Sequence, residues 1–362
     1  MAKLVIGTNK QTVVPAVVRD MSPDVYREWL VDSSGYATNK QGKLDLSSIK
    51  HITQNYLLYY AFYYALYTEV DFSNLLEINA NYCCRSCFSS SSIETINIGK
   101  LEKILGSDGA SYMFNASKIK NISFDSLKII DTASSFLASC TRLVEALFPK
   151  LEQVTGSNGV GDLFQSDSSL TTVDFGRLTK AKGSIYEMFR GCSSLREVKF
   201  YSLNYLKENA MLRQCQSCSD IQVYLYAVRA DTFSNVNCMN NYFISGSNNT
   251  LHFPKNLDPQ GGSTVISSLT SYPNFGGTNT ALAFDLPSTF LLTCANSVVY
   301  ERNPKYDTQT ALAWRKNQYD NDGFVVDWTS VYTNTTNDPQ VGDTIYSDSA
   351  CTTAVTTISS IA

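Results

Sequence analysis

The sequence of 362 residues predicts a β-rich solenoid with an N-terminal cap and a small C-terminal β tail. Three observations support this fold class. One apolar pattern recurs about eight times, at intervals of 23–27 residues. Each copy ends in an alternation of apolar and polar residues, which is typical of a short strand. The composition, 43% hydrophobic and 17% charged, is that of a globular chain with a polar and mostly uncharged surface.

The repeated pattern is clearest in residues 163–175 (LFQSDSSLTTVDF) and 188–200 (MFRGCSSLREVKF). Both contain the frame L-x-x-V-x-F, and further copies begin at Ile93, Ile119 and Ile221. A unit of this length has one apolar face that it cannot bury alone, and stacking of similar units buries that face. The sequence therefore predicts that each copy is one rung of a solenoid and that the strands of successive rungs form a parallel sheet.

The frame divides the chain into four predicted parts. Residues 1–34 precede the repeats and form an N-terminal cap or attachment segment, with a helix predicted over residues 22–32. Residues 35–240 form the solenoid. Residues 241–292 contain degenerate repeats and loops, and residues 293–362 form a small β-rich C-terminal domain.

The rung in residues 188–206 (MFRGCSSLREVKFYSLNYL) resembles the leucine-rich repeat of the BspA-like type. The pattern of that family runs approximately A-F-x-x-C-x-x-L-x-x-I-x-L-P-x-x-L-x-x-I. The resemblance covers a little over half of the chain and implies the solenoid fold. It implies little about the ligand, because the proline of the pattern remains only at Pro149 and the cysteine is often replaced by serine.

The two ends of the chain carry a second resemblance. Residues 1–18 (MAKLVIGTNKQTVVPAVV) and 341–358 (VGDTIYSDSACTTAVTTI) look like terminal segments of tail- or virion-associated proteins of phages that infect gut bacteria. This resemblance implies that the protein is part of a virus particle.

Composition and charge argue against several classes of function. The formal net charge of −4 gives no electrostatic basis for binding nucleic acid or an anionic membrane. The longest apolar run, residues 56–67, is too short to span a bilayer, and no secretory signal is recognisable at the start. The only two histidines, His51 and His252, are far apart in the sequence, and no phosphate-binding or zinc-protease motif is present. We therefore expect no cofactor and no membrane insertion.

Two CxxC pairs, Cys84 with Cys87 and Cys215 with Cys218, raise the question of a four-thiolate zinc site. They are about five rungs apart, roughly 25 Å at ~5 Å per stacked strand, so one site cannot contain both. The repeat frame instead places them in small or apolar core columns, where free cysteine packs well. The column of Cys218 contains Cys192, Cys140, Ser166, Ser117, Ser91 and Ala65. We therefore expect no metal site. The sequence does not decide whether any cysteines form disulfides. Cys351 is the thiol that we expect to be most exposed.

The acidic residues near position 320 and the tyrosine-rich residues 56–67 could each be a functional site or an ordinary structural element. Asp320 and Asp322 could form an acid–base pair or part of a calcium loop, but the spacing of a calcium loop is missing, so the sequence favours a turn. The tyrosine-rich residues 56–67 could form an aromatic platform for a carbohydrate or a protein partner. The frame places Phe62 of this run in the core, and several tyrosines must point outward.

The outward positions of the strands form the predicted binding surface. A solenoid usually binds its ligand through such an extended ladder. The predicted ligand-binding residues are Asp71, Asn97, Asp125, Asp174, Lys199 and Tyr201. In the last rung the frame places Val223, Leu225 and Ala227 outside, which predicts an apolar partner patch.

These observations predict a non-enzymatic recognition protein without catalytic residues. The leading interpretation is a phage virion protein, made in the host cytoplasm without a signal peptide, that binds a protein or glycan on a host-cell surface. It would attach to other virion proteins, and it could form a homo-oligomer. One alternative is a BspA-like adhesin on a bacterial cell surface. A third is a hydrolase whose site lies in the C-terminal domain.

Overall fold

The computed structural model describes residues 11–13, 41–157, 159–183, 185–206, 218–229, 232, 247–258, 280–334 and 338–362. These residues are β-strands joined by turns, with only short 3-10 segments, and they form a β-solenoid followed by a small barrel. The predicted cap helix over residues 22–32 lies outside the described residues.

The first strand of each rung lies in one of two parallel sheets on the front of the solenoid. The N-terminal front sheet consists of β1 (Gln11–Val13), β2 (Gln41–Asp45), β4 (Leu66–Asp71) and β6 (Thr95–Asn97). The long front sheet consists of β8 (Asn121–Ser123), β10 (Glu145–Leu147), β12 (Thr172–Asp174), β14 (Glu197–Phe200), β16 (Gln222–Leu225), β17 (Asn249–Pro254) and β18 (Thr280–Leu286). The strands β17 and β18 come from the segments that the sequence indicates as degenerate rungs.

The second strand of each rung lies in a seven-stranded parallel back sheet. Its strands are β3 (His51–Ile52), β5 (Glu77–Asn79), β7 (Lys103–Leu105), β9 (Ile129–Ile130), β11 (Gln153–Val154), β13 (Lys180–Ala181) and β15 (Tyr205–Leu206). Equivalent residues pair between rungs, as Ile78 does with Ile104 and Val154 with Ala181. The predicted parallel stacking of rungs is therefore confirmed.

The third side of each rung is a run of turns that also bonds to the next rung. The backbone amide of Phe62 donates to the carbonyl of Cys87 at 2.8 Å, and the amide of Phe88 donates to the carbonyl of Met113 at 2.8 Å. We call this the turn side. Its backbone groups are thus satisfied by neighbouring rungs, although no regular strand forms there.

Apolar side chains from all three sides fill the core between the sheets. Phenylalanines at equivalent positions stack on one another along the solenoid axis. The rings of Phe62 and Phe88 lie 5.1 Å apart and those of Phe88 and Phe114 lie 5.6 Å apart, both nearly parallel. A fully buried side chain of this kind contributes about 1.5–3 kcal/mol, so the aromatic columns are a main source of stability.

The last rung of the repeat differs from the sequence prediction. Val223 pairs with Val198 of the preceding rung, so Val223, Leu225 and Ala227 face the core and are buried. The prediction that these three residues form an outward partner patch is therefore wrong. The reason is a shift of one residue in this rung, which places Tyr224 on the outward face instead.

The column of small core residues contains Asp167 rather than the predicted Ser166, because Asp167, like Cys192, stands three residues after the buried phenylalanine of its rung. Cys140, Cys192 and Cys218 are buried as the repeat frame predicts, but Ser166 is exposed and Asp167 is buried in its place. An aspartate therefore occupies a core position at which the neighbouring rungs have a cysteine.

The C-terminal residues form a closed barrel of six antiparallel strands. These are β19 (Leu292–Cys294), β20 (Val299–Arg302), β21 (Leu312–Lys316), β22 (Val331–Thr333), β23 (Thr344–Tyr346) and β24 (Ala354–Ile361). Leu292, Tyr300, Trp314, Ile345 and Ile358 are buried inside it. The predicted β-rich tail is thus a barrel with its own apolar core.

The barrel docks on the solenoid through a buried carboxylate. Glu152, at the start of β11, accepts hydrogen bonds from the backbone amide of Val325 at 3.1 Å and from the indole of Trp328 at 3.0 Å. Next to it, the side-chain amide of Gln153 donates to the carbonyl of Asp322 at 3.1 Å. The loop between β21 and β22 is therefore fixed to the back of the solenoid.

Further polar contacts extend this interface to later rungs. Asn204 donates to the hydroxyl of Tyr319 at 3.0 Å, and Arg229 forms an ion pair with Glu301 at 3.3 Å. Glu301 also pairs with the buried Arg315 at 2.6 Å. With Glu152 on an earlier rung, these contacts hold the barrel against several successive rungs of the solenoid.

Candidate recognition surfaces

The predicted ladder residues lie on the front of the solenoid but in two separate groups. Asp71 and Asn97 pair with each other in the N-terminal front sheet. Asp174 and Lys199 pair with each other in the long front sheet, and Tyr201 follows β14 there. The remaining residue, Asp125, is exposed just after β8. The residues therefore share a face, while the strands β6 and β8 between the two groups belong to different sheets.

The N-terminal group is already paired internally. Lys43 contacts Asp71 at 3.1 Å, and Asn97 lies at hydrogen-bond distance from the same carboxylate. Partial burial raises the pKa of Asp71, but the hydrogen bonds from Lys43 and Ser73 outweigh this effect and hold the pKa below its usual value. The hollow that these residues line has a volume of about 200 Å³. It is smaller than most small-molecule sites.

The long front sheet carries a stacked row of four rings, which we call the aromatic row: Tyr201, Tyr226, Tyr224 and His252. Tyr201 stacks on Tyr226 with centroids 4.6 Å apart, and Tyr224 stacks on His252 at 4.4 Å. Tyr224 and Tyr226 are 5.6 Å apart and nearly parallel. Because the ring faces cover one another, the row presents mainly ring edges and hydroxyl groups outward.

Polar neighbours hold the aromatic row in place. The Nδ1 atom of His252 lies 2.9 Å from the carboxylate of Asp285, and its Nε2 atom lies 2.8 Å from the side-chain oxygen of Gln222. Burial, followed by the neighbouring tyrosines, raises the pKa of Tyr226. Its phenol is therefore neutral at pH 7 and able to donate and accept hydrogen bonds.

A cleft lies where the barrel meets the solenoid. It has a volume of about 640 Å³, and we call it the junction cleft. Its lining includes Arg177 from the solenoid and Tyr306, Asp327, Trp328, Tyr332 and Asp348 from the barrel. The guanidinium of Arg177 lies 4.8 Å from the ring centroid of Trp328. The cleft thus combines aromatic rings with charged groups of both signs.

The two carboxylates of the junction cleft are both ionised at neutral pH. The backbone amide of Thr329 lowers the pKa of Asp327, and the backbone amide of Thr353 lowers the pKa of Asp348. Hydrolysis of a glycosidic bond by two carboxyl groups needs one of them protonated as a general acid, which requires a raised pKa. Neither Asp327 nor Asp348 has the raised pKa that such an acid requires.

The tyrosine-rich run occupies the turn side of an early rung. Phe62 is buried, whereas Tyr56 and Tyr64 are 47% and 54% exposed. Tyr56 stacks on Tyr82 of the next rung at 5.2 Å. The expectation that several of these tyrosines point outward is confirmed, and the run also contributes to the core.

The cysteines and the acidic turn have structural roles in the described residues. Cys84 and Cys87 lie in the core, where burial raises their pKa well above the usual value, so both are neutral thiols. Cys215 lies outside the described residues. Asp320 accepts hydrogen bonds from the backbone amides of Asp322 and Phe324, which makes this segment a turn, as the sequence favours.

Sequence reasoning missed the central part of the aromatic row and the whole junction cleft. The repeat frame placed Tyr224 and Tyr226 in the core. Residues 222–228 (QVYLYAV) have apolar or aromatic side chains on both faces of the strand, so their pattern fits either orientation. For the cleft no local signal exists, because Arg177 and Trp328 are brought together only by docking of the barrel.

Comparisons with protein-family models, with curated proteins and with solved structures found no match. Inferences about function therefore depend on the residues of this chain. None of the described segments forms a helix that is long and apolar enough to cross a membrane.

Proposed function

We propose that the protein is a non-enzymatic recognition protein that binds a protein or glycan on a host-cell surface through its long front sheet. The observation that carries this proposal is the aromatic row, which lies on the outward face of the sheet. Tyrosine provides a large, rigid and amphipathic contact area at a low cost in conformational entropy, and it is enriched at binding hot spots.

The surroundings of the row support the same function. Asp174 and Lys199 lie beside it and can hydrogen-bond a polar ligand, as the sequence predicts for the ladder. Lys305 of the barrel contacts Asp174 at 3.1 Å and lies 5.8 Å from the ring centroid of Tyr201. The barrel thereby fixes one end of the surface, and a rigid surface loses little entropy when it binds.

In the same proposal the chain is a phage virion protein, and its solenoid is a leucine-rich repeat of the BspA-like type. The terminal segments that look like those of virion-associated proteins support the first statement, and the repeat pattern supports the second. Mass spectrometry should find the protein in purified virus particles. If the protein were found in a bacterial cell-envelope fraction and not in particles, the adhesin alternative would replace this proposal.

Binding to cells tests the role of the front sheet. We would label the full-length protein and measure its binding to a panel of gut bacterial isolates by flow cytometry. For an isolate that is bound, Tyr224→Ala should lower the apparent affinity about tenfold, the loss typical of a hot-spot residue. Tyr186→Ala, which changes an exposed tyrosine on the turn side, is the matched control and should have no effect. Equal binding by both variants, or no binding to any isolate, would contradict the proposal.

A further inference from the structure

We propose that the junction cleft is a binding site for a neutral saccharide unit. This site is separate from the long front sheet, and the inference does not depend on the function proposed for that sheet. It rests on the size of the cleft, its aromatic and polar lining, and the fixed positions of its charged groups.

The size of the cleft fits a small ligand. Its volume of about 640 Å³ lies in the range of roughly 300–1,000 Å³ that is common for small-molecule sites. The lining residues come from a solenoid rung, a 3-10 segment, the loop after β21 and the hairpin between β23 and β24. Several separate segments therefore converge on one hollow.

The lining matches the two kinds of surface that a sugar ring presents. Tyr306 and Tyr332 provide rings for the apolar C–H face of a sugar, and Tyr306 is 40% exposed. Asp327 and Asp348 accept hydrogen bonds from hydroxyl groups, and Arg177 donates them. Hydrogen bonds to ionised groups are about twice as strong as those between neutral groups.

The charged groups hold their positions before a ligand arrives. The carboxylate of Asp348 accepts hydrogen bonds from the backbone amides of Thr352 at 3.2 Å and Thr353 at 2.8 Å. The carboxylate of Asp327 accepts one from the backbone amide of Thr329 at 2.8 Å. Preorganised groups of this kind lose little entropy on binding, which raises affinity.

Charge selects the class of saccharide. Asp327 pairs with Lys316 at 3.6 Å, which leaves the carboxylate of Asp348 and the guanidinium of Arg177 as one charge of each sign in the cleft. A cleft without an excess of either charge offers an acidic sugar no electrostatic attraction, and neutral hexoses and N-acetylhexosamines are the fitting class.

Calorimetric titration of the full-length protein tests the proposal. The probes are glucose, galactose, mannose and N-acetylglucosamine, with glucuronic acid and Ca²⁺ as charged comparators. At least one neutral sugar should bind saturably and more tightly than glucuronic acid. Tyr306→Ala and Arg177→Met should each weaken this binding about tenfold. The matched controls Tyr186→Ala, on the turn side, and Arg196→Met change exposed residues that do not line the cleft and should leave sugar binding unchanged.

The outcomes separate this site from the front sheet. If no neutral sugar binds, if only Ca²⁺ binds, or if Arg177→Met and Tyr306→Ala keep the affinity of the unmodified protein, the proposal is overturned. A loss of sugar binding in Tyr224→Ala, with the cleft variants unaffected, would place the sugar on the aromatic row and would also overturn it. Thermal melting of each variant by circular dichroism verifies that the fold is retained.

Discussion

Replacing Asp167 by serine should stabilise the protein at neutral and alkaline pH. Asp167 is fully buried in the core, and neither of its carboxylate oxygens has a hydrogen-bond partner among the described residues. Burial raises its pKa well above the usual value. The folded state therefore keeps a proton that the unfolded chain loses at a pKa of about 3.9.

The direction of the pH dependence follows from this difference. Below the unfolded pKa both states bind the proton, so the group does not change the free energy of unfolding. As the pH rises above that value, only the unfolded state loses its proton, and the stability of the folded state falls until the folded pKa is reached. Each unit by which the folded pKa is raised costs about 1.36 kcal/mol.

The size of the expected gain follows from the neighbouring rungs. At the equivalent core positions the thiol of Cys140 donates to the carbonyl of Phe114 at 3.1 Å, and that of Cys192 donates to the carbonyl of Phe164 at 2.9 Å. The hydroxyl that Asp167→Ser introduces can make the same kind of bond. Removing an unpaired buried polar group and satisfying its replacement should raise the free energy of unfolding by about 1–3 kcal/mol near pH 8.

Urea unfolding followed by far-ultraviolet circular dichroism measures this effect. We would compare the unmodified protein, Asp167→Ser and the exposed control Asp220→Ser at about pH 4.5 and about pH 8. The gain from Asp167→Ser should be larger at the higher pH, and the control should show no such difference. A variant that is less stable than the unmodified protein at the higher pH, or a gain independent of pH, would refute the reasoning.

Three further predictions concern the interface and the core. Glu152→Ala leaves two donors of the barrel, the amide of Val325 and the indole of Trp328, without an acceptor. It should lower the free energy of unfolding by about 1–3 kcal/mol and make the loop between β21 and β22 sensitive to limited proteolysis. Glu145→Ala on the exposed front should have neither effect. Phe88→Ala removes the middle ring of a stacked column and should cost about 3–5 kcal/mol in urea unfolding; a loss below 1 kcal/mol would contradict the described column. Alkylation with peptide mapping should label Cys351 faster than Cys84, because Cys84 is buried; equal rates would contradict its core position.

The apolar positions of the core were predictable from the sequence. Ile104, Leu127 and Val154 are buried where the repeat frame places them. Burial at these positions follows directly from periodicity, because a parallel stack of rungs must place the same position of each rung inside. The fold class could therefore be derived without a related structure.

Exact positions could not be derived where the length of a rung changes. Thr172 pairs with Glu197, an offset of 25, whereas Gln222 pairs with Thr250, an offset of 28. Counting with a fixed period then misplaces a residue by one, as happened at Val223, which pairs with Val198 at an offset of 25 and not 26. In a strand, an error of one residue exchanges the inner and the outer face.

The contacts that build the junction cleft could not be predicted at all. Glu152 and Trp328 are 176 residues apart, and their hydrogen bond depends on where the barrel docks. Polar docking contacts have no periodicity, and each residue alone looks like an ordinary surface residue. The sequence predicted a separate C-terminal β-rich domain, while its contact surface with the solenoid is known only from the structure.

The bonding between rungs determines how the protein would respond to a pulling force. Backbone hydrogen bonds join each rung to the next, so a load between the two ends acts on the rungs in series, and they would detach one at a time. The barrel forms polar contacts with several rungs, beginning at the rung of Glu152, and these contacts hold those rungs together. The rungs before that of Glu152 would peel away first. Each would release about 25 residues, or about 80–90 Å of extended chain, so the N-terminal half would act as an extensible tether.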